Sequence, residues 1–171
     1  KYAALVAQRN FDAEKEIANW TDIRTNTYYP RSEELNLFLQ QDNYLDKEQI
    51  LVKDLAPKHL PLVKNWSWDR ILRSPYIKQA DVLQGFYLFE ADFSQESLEK
   101  HFDFYEPFTV HESSLSPCVH SIQAAKLGRM DQAYIFYLRT SRLDLDDYNN
   151  DTEDGCHITS MAGSWLAIIK G

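Results

Sequence analysis

The sequence predicts a mainly α-helical fold interrupted by one irregular segment. Apolar residues recur at helical spacing near the start of the chain and again from about residue 79 to residue 143. Between residues 26 and 76 the pattern dissolves, and four prolines there exclude long helices. Helices of about 10–14 residues joined by short and longer connections pack as antiparallel pairs. We therefore expect part of a helical barrel or bundle, with a small irregular or β excursion near residues 26–76.

Composition narrows the class of protein. The 171 residues are 44% hydrophobic and 13% aromatic, which is enough for a sizeable core. Eighteen basic and 26 acidic residues give a net charge of −8 without a Lys/Arg cluster, so a nucleic-acid surface is not expected. The longest apolar runs are far shorter than the ~20 residues of a membrane span. Two cysteines form no disulfide framework, so we expect a cytoplasmic protein that binds neither nucleic acid nor membrane.

The first 24 residues predict two helical pieces. Apolar side chains follow helical spacing on both sides of a break that Asn10 and Asp12 mark. Residues 1–7 look like a helix entered partway, and residues 165–171 end where an apolar helix needs a partner. We therefore expect residues 1–171 to be a single segment of a longer protein.

The irregular segment carries several aromatic residues, which indicate packed order. Residues 35–40 alternate weakly between apolar and polar, as in a strand or short hairpin. Trp66 and Trp68 fit two interpretations: packing in the core or under a lid, which is favoured, and stacking on a sugar face.

Five helices are predicted after Pro75. They cover about 79–89, 95–105, 117–127 and 131–143, and a last one starts at Ile158 or Thr159. Ser94 is expected to cap the second of these helices and Gly128 to end the third.

The loop at residues 111–117, with the sequence HESSLSP, is the feature around which the chain is organised. Pro117 lacks an amide hydrogen and presets φ for a first helical turn, so Ser116 is the expected N-cap. One imidazole, one carboxylate and three hydroxyls lie beside free amide groups and the positive end of a helix dipole, which suits an anion. The competing interpretation is a serine-rich cap beside a buried histidine.

A second polar loop, residues 149–160, also leads into a helix N-terminus. Gly155 allows close approach of the backbone to a ligand, and the imidazole of His157 can donate to an anion. The two loops therefore share one design, and both favour anion binding.

Metal binding is disfavoured at the second loop. An EF-hand starting at Asp144 would place Tyr148 at its fifth position and Asn149 where glycine is required. The histidines of the chain have neither H-x3-H spacing nor a cysteine pair to complete a zinc site.

Three ordered motifs resemble a known enzyme family. KQADV at 78–82, HESSLS at 111–116 and GCHITSMAG at 155–163 look like the motifs that close the catalytic domain of the glycoside hydrolase family 65 disaccharide phosphorylases. WDRILRSPYI at 68–77 and YNNDTEDG at 148–155 are most similar to the maltose-cleaving branch.

The resemblance implies the later helices of an (α/α)6 barrel in a homodimeric enzyme. Such an enzyme uses inorganic phosphate as co-substrate, needs no cofactor, and converts an α-glucoside, with maltose favoured, to β-glucose 1-phosphate and glucose. Phosphorolysis of trehalose or kojibiose, or a non-catalytic helical module that binds carbohydrate or an anion, are the alternatives. In half a barrel, inner-face residues such as Phe86, Phe89 and Trp165 would lack opposing helices.

The resemblance also assigns roles to residues. Phosphate-binding positions of the family match Ser113, Ser114 and His157. Positions that contact sugar hydroxyls match Lys78, Gln79 and Glu112. The family's general acid belongs to a Glu-containing motif upstream of the part that resembles this chain. No catalytic residue is therefore expected within residues 1–171, and the isolated segment is expected to be inactive.

Overall fold

The described part of the chain, residues 2–9 and 11–171 of a computed structural model, is mainly helical with one two-stranded sheet, as predicted. It divides into two units, which meet in the sequence between Pro30 and Arg31. Within these residues, no helix combines the length and the apolar character that crossing a membrane requires.

The first unit contains α1 (Ala3–Gln8) and α2 (Ala13–Asn26). Asp12 caps α2, because its side-chain Oδ1 accepts the amide hydrogen of Lys15 at 3.1 Å. The prediction of two helical pieces with a restart at Asp12 is confirmed. Asn10, the other residue of the predicted break, and Lys1 lie outside the described residues.

The second unit opens with the irregular segment, residues 31–76. Its short elements are β1 (Arg31–Ser32), β2 (Leu37–Phe38), α3 (Leu62–Asn65) and α4 (Trp68–Arg73). The two strands pair antiparallel, and β2 lies within residues 35–40, where a strand or short hairpin was predicted. Tyr44 ties the segment to the core: its ring is buried, and its hydroxyl donates to the carbonyl oxygen of Pro75 at 2.5 Å.

Five longer helices follow: α5 (Asp81–Leu88), α6 (Gln95–Tyr105), α7 (Ser116–Lys126), α8 (Met130–Ser141) and α9 (Ile158–Lys170). All five were predicted, and their ends lie at or within two residues of the expected positions. Ser94 caps α6 by accepting the amide hydrogen of Ser97 at 3.1 Å. Gly128, just after α7, has a φ of 74°, which suits a helix-ending glycine.

The prediction that Ser116 caps α7 is wrong. Leu115 occupies the N-cap position without a side-chain hydrogen bond, and Ser116 is the first helical residue. Ser116 is fully buried, with its Oγ 2.9 Å from Nδ1 of His111 and 3.4 Å from Nδ1 of His120. The hydroxyl therefore serves two core imidazoles, which would otherwise lose a polar partner.

The helix α7 is buried along most of its length and packs against α5, α8 and α9. Gln123 joins it to α5, because its Nε2 donates to the carbonyl oxygen of Leu83 at 2.5 Å. Phe86 of α5 was expected on an inner face without opposing helices, and this is wrong, because its side chain is buried and its ring stacks on Phe93 with centroids 4.2 Å apart. Phe89 and Trp165 are mostly exposed, as expected for inner-face residues without opposing helices.

The helices α7 and α9 run parallel and in close contact. Gly163 of α9 lies against Cys118 of α7, so closely that a Cβ on Gly163 would come within 2.9 Å of the Cys118 Cβ. Gly171, after the end of α9, faces Ala125 near the end of α7. The starts of both helices, and therefore the two polar loops that precede them, lie at the same end of the helix layer.

Candidate functional site

A short backbone ladder places the first two motifs side by side. The amide of Ile77 donates to the carbonyl oxygen of Phe108 at 3.0 Å, and the amide of Val110 donates to the carbonyl oxygen of Ile77 at 2.9 Å. The two backbone segments, around Ile77 and Thr109, run parallel at this bridge. Residues 78–79 therefore emerge beside residues 111–113.

Gln79 and Ser113 are in direct contact at this point. The Ser113 hydroxyl donates to Oε1 of Gln79 at 3.0 Å and accepts the amide hydrogen of Leu115 at 3.2 Å. Ser114 is partly buried in the same turn, and Lys78 is exposed next to Gln79. The structure thus brings a residue matched to sugar binding together with one matched to phosphate binding.

Glu112 extends the cluster to the irregular segment. One carboxylate oxygen accepts the amide hydrogen of Leu62 at 2.5 Å, and the other accepts that of Val63 at 3.2 Å. These amides open α3, where a negative charge complements the free N–H groups. Each carboxylate oxygen has a second lone pair, so this structural role leaves room for a sugar hydroxyl.

His111 belongs to the core and not to an anion-facing surface. Its imidazole is buried against His120, with ring centroids 4.5 Å apart, and its backbone is left-handed with a φ of 53°. Burial, followed by the charges of His120 and Arg139, lowers the pKa of His111 to about 2. Burial also lowers the pKa of His120 to about 4. Both rings are therefore neutral near pH 7, as in the buried-histidine interpretation of this loop.

Arg139 links the loop before α7 to the loop before α9, and no sequence motif pointed to it. Its Nη2 donates to the carbonyl oxygen of His111 at 2.7 Å, and its guanidinium carbon lies 4.3 Å from the ring centroid of Tyr148. His111 belongs to the loop before α7 and Tyr148 to the loop before α9. A backbone carbonyl and a ring face leave no pattern in the sequence that would identify their arginine.

His157 directly precedes α9 and is held by Asp144. Its backbone amide donates to Oδ2 of Asp144 at 2.8 Å, and Nδ1 of its ring donates to Oδ1 at 2.6 Å. Nε2 faces Oδ2 of Asp151 at 3.5 Å. The hydrogen bond to Asp144, supported by the charges of Asp151, Asp144 and Asp154, raises the pKa of His157 against the opposing effect of burial. The surroundings of this histidine, unlike those of His111, favour its positively charged form.

Trp66 packs within the irregular segment, as the favoured interpretation predicted. Its Nε1 donates to Nδ1 of His59 at 3.1 Å, and the Arg70 guanidinium carbon lies 3.7 Å from its ring centroid. Trp68, by contrast, is mostly exposed. Across residues 2–9 and 11–171, no group of three or more His, Cys, Asp or Glu side chains is arranged to hold a metal ion.

Sequence comparison connects this arrangement to known enzymes. The chain is 56% identical over 165 residues to the maltose phosphorylase of Bacillus subtilis, a match that covers 96% of the chain and 22% of that relative. It is 41% identical over 171 residues to the α,α-trehalose phosphorylase of Thermoanaerobacter brockii, covering 100% of the chain and 22% of the relative. The chain therefore spans about a fifth of the length of these curated relatives.

A solved structure gives the same answer for the fold. The chain superposes with a TM-score of 0.86 and 39% identity on a structure assigned provisionally as a kojibiose phosphorylase from human microbiome, covering 100% of this chain and 23% of that one. The family profile described as the glycosyl hydrolase family 65 central catalytic domain matches residues 4–166. The chain belongs to glycosyl hydrolase family 65 and forms part of its central catalytic domain.

Proposed function

We propose that this chain forms part of an inverting disaccharide phosphorylase that cleaves maltose with inorganic phosphate, giving β-glucose 1-phosphate and glucose. The observation that carries the proposal is the 56% identity to a maltose phosphorylase over 96% of the chain. The trehalose phosphorylase relative, at 41% identity, favours trehalose as the second candidate substrate.

The reaction needs one acid and a well-placed nucleophile. A phosphate oxygen attacks the anomeric carbon while the bond from that carbon to the glycosidic oxygen breaks on the opposite face. A carboxylic acid donates its proton to the departing oxygen. Phosphate is already nucleophilic, so the protein has to position it and does not need a catalytic base. We place the acid outside residues 1–171, as the family resemblance implies.

We assign phosphate binding to Ser113, Ser114 and His157. Two observations support the assignment: the loops that carry these residues lie at the same end of the parallel pair α7 and α9, and Asp144 favours the charged form of His157. Helix N-termini add amide donors and a positive dipole end, which favour an anion.

We assign sugar contacts to Lys78, Gln79 and Glu112. The backbone ladder at Ile77 and the hydrogen bond between Gln79 and Ser113 support the assignment, because they put these residues beside the loop before α7. A sugar bound here would have its reacting carbon next to the proposed phosphate site.

The remaining features of the proposal concern the whole enzyme. We propose that it is a cytoplasmic homodimer that takes a disaccharide and phosphate as its substrates, and that the isolated segment is inactive because it lacks the acid.

The test is a substrate panel on the parent full-length protein. Maltose, trehalose and kojibiose are each supplied with phosphate, and the anomeric configuration of the glucose 1-phosphate formed is read by NMR. We expect β-glucose 1-phosphate from maltose, and none from the isolated segment above a no-protein control. Product from trehalose alone would mean that trehalose, and not maltose, is the substrate. Release of free glucose without sugar phosphate would overturn the proposal of phosphorolysis.

A further inference from the structure

We propose that Asp144 is a positioning residue for His157, which fixes the imidazole ring and favours its imidazolium form so that Nε2–H can donate to phosphate. This inference rests on the proposed function, because it concerns how the proposed phosphate site is prepared for its anion. Asp144 itself does not touch the substrate.

Asp144 and His157 are joined by two hydrogen bonds. Asp144 holds both the backbone amide and ring Nδ1 of His157, at 2.8 and 2.6 Å, so the side chain is fixed to the start of its own helix. The two side chains are only 16% and 24% exposed, so water screens their interaction less than it would an open surface pair. With Nδ1 committed to Asp144, a ligand would approach the ring at Nε2, which also faces Oδ2 of Asp151 at 3.5 Å.

The charge state of His157 decides what Nε2 can do. A neutral ring that donates through Nδ1 presents a bare lone pair at Nε2, which cannot donate to a phosphate oxygen. A protonated ring presents N–H at both positions. Donation from Nε2 to a phosphate oxygen therefore requires the imidazolium form of His157, and a carboxylate at Nδ1 stabilises that form.

Three carboxylates act on this imidazole. Asp144 accepts from Nδ1, Asp151 lies 3.5 Å from Nε2, and Asp154 contributes charge from the same loop. All three favour the imidazolium, but Asp151 also repels an anion that approaches Nε2. Because Asp144 is on the far side of the ring, it supports the positive charge with the least repulsion of phosphate.

The test compares Asp144→Asn, Asp144→Glu and the control Asp146→Asn in the full-length enzyme. Asp146 lies two residues away and pairs with Arg142 outside the site. The measurement is kcat/KM for phosphate and for disaccharide from pH 5.5 to 9, with thermal melting of each variant as a check on folding. Phosphate ionises identically in every reaction, so differences between variants report on the protein.

We expect Asp144→Asn to raise KM for phosphate about tenfold. The alkaline limb of its pH profile of kcat/KM for phosphate should also shift to lower pH by about one unit, because His157 loses one adjacent opposite charge. The disaccharide KM at saturating phosphate should be unchanged. Asp144→Glu should return the alkaline limb to its pH position in the unmodified enzyme, and the profile of Asp146→Asn should match that of the unmodified enzyme. If Asp144→Asn melts early, the position of the limb in Asp144→Glu still decides.

Two failures are distinguishable. An Asp144→Asn profile that coincides with the unmodified one, in an enzyme that His157→Ala impairs for phosphate, overturns the role of Asp144 and leaves the proposed function intact. An unmodified enzyme without phosphorolytic activity overturns the proposed function instead.

Discussion

Arg139 donates a hydrogen bond to the carbonyl oxygen of His111, 2.7 Å away, at a residue whose backbone is left-handed. A non-glycine residue adopts that conformation at a cost of roughly 1 kcal/mol or more, so it persists only where its surroundings hold it. The residues that follow, 112–114, leave His111 in the direction that this conformation sets. Arg139 therefore helps to define where the proposed sugar and phosphate ligands of the first loop point.

We expect Arg139→Ala to destabilise the protein by about 2 kcal/mol, because it leaves a partly buried carbonyl without its charged donor. It should also raise KM for phosphate, since the same guanidinium packs on Tyr148 in the other loop. Denaturant unfolding and kinetics of the full-length enzyme measure the two effects. The control is Arg142→Ala, which removes an exposed ion pair with Asp146 and should lower stability far less, because water screens an exposed pair. Equal effects of the two variants would contradict this role of Arg139.

The proposed ligand assignments predict a split in kinetic constants. Ser114→Ala and His157→Ala should raise KM for phosphate more than KM for disaccharide, because each removes a donor to the nucleophile. Lys78→Ala should do the reverse. Initial rates with one substrate varied and the other saturating measure the split in the full-length enzyme. If all three variants change both constants in the same ratio, the two sets of residues do not serve separate ligands.

The buried histidines predict acid sensitivity. His101, His111 and His120 have pKa values below the ordinary value of 6.5, mainly because burial disfavours their charged forms. Below pH 6.5 the unfolded chain therefore binds protons at these three positions that the folded chain does not. The contribution of these histidines to stability is therefore greatest above pH 6.5 and decreases as the pH is lowered, by up to about 1.4 kcal/mol per pH unit for each histidine. Denaturant unfolding at pH 7.5, 6.5 and 5.5 measures this slope.

His120→Gln gives the internal check on that slope. The variant starts from lower stability, because Nδ1 of His120 donates to the carbonyl oxygen of Ser116 at 3.1 Å. With one titrating group removed, however, the loss between pH 6.5 and 5.5 should be smaller than in the unmodified chain. A pH-independent free energy of unfolding across this range would show that these histidines do not stay neutral in the fold.

Two glycines predict opposite effects of the same substitution. Gly163→Ala should destabilise by about 1–3 kcal/mol, because the new Cβ would lie 2.9 Å from the Cys118 Cβ in a helix contact. Gly85→Ala should stabilise by about 0.5–1 kcal/mol, because Gly85 is inside α5 with nothing within 4 Å of a new Cβ. Thermal melts of both variants test the pair, and a gain from Gly163→Ala would mean that α7 and α9 are not in tight contact.

Helix positions could be read from the sequence where the signals are local. Asp12, Ser94 and Gly128 act through backbone groups within a few residues of themselves, so their roles follow from the sequence around them. Ser116 has the same local signature and a different role. Its partners, two buried imidazoles, are defined by how α7 packs, and a capping rule contains no information on that packing.

The candidate site shows the same division between local and distant information. The three motifs identify Gln79, Glu112 and His157, but each is held by a residue far away in the sequence: Ser113, Leu62 and Asp144, respectively. Asp144 was noticeable in the sequence only as a failed start of a calcium loop. Its pairing with a histidine thirteen residues later depends on the path of the loop between α8 and α9.

The glycine contact between α7 and α9 has a consequence for selectivity among oxyanions. If phosphate bridges the loops before these two helices, the gap that it fills is set by how closely the helix axes approach at Cys118 and Gly163. A larger residue at either position would widen that gap without altering any group that touches the anion. The distance between the axes of α7 and α9 inside the protein would then set how well the site discriminates phosphate from a slightly larger analogue such as arsenate.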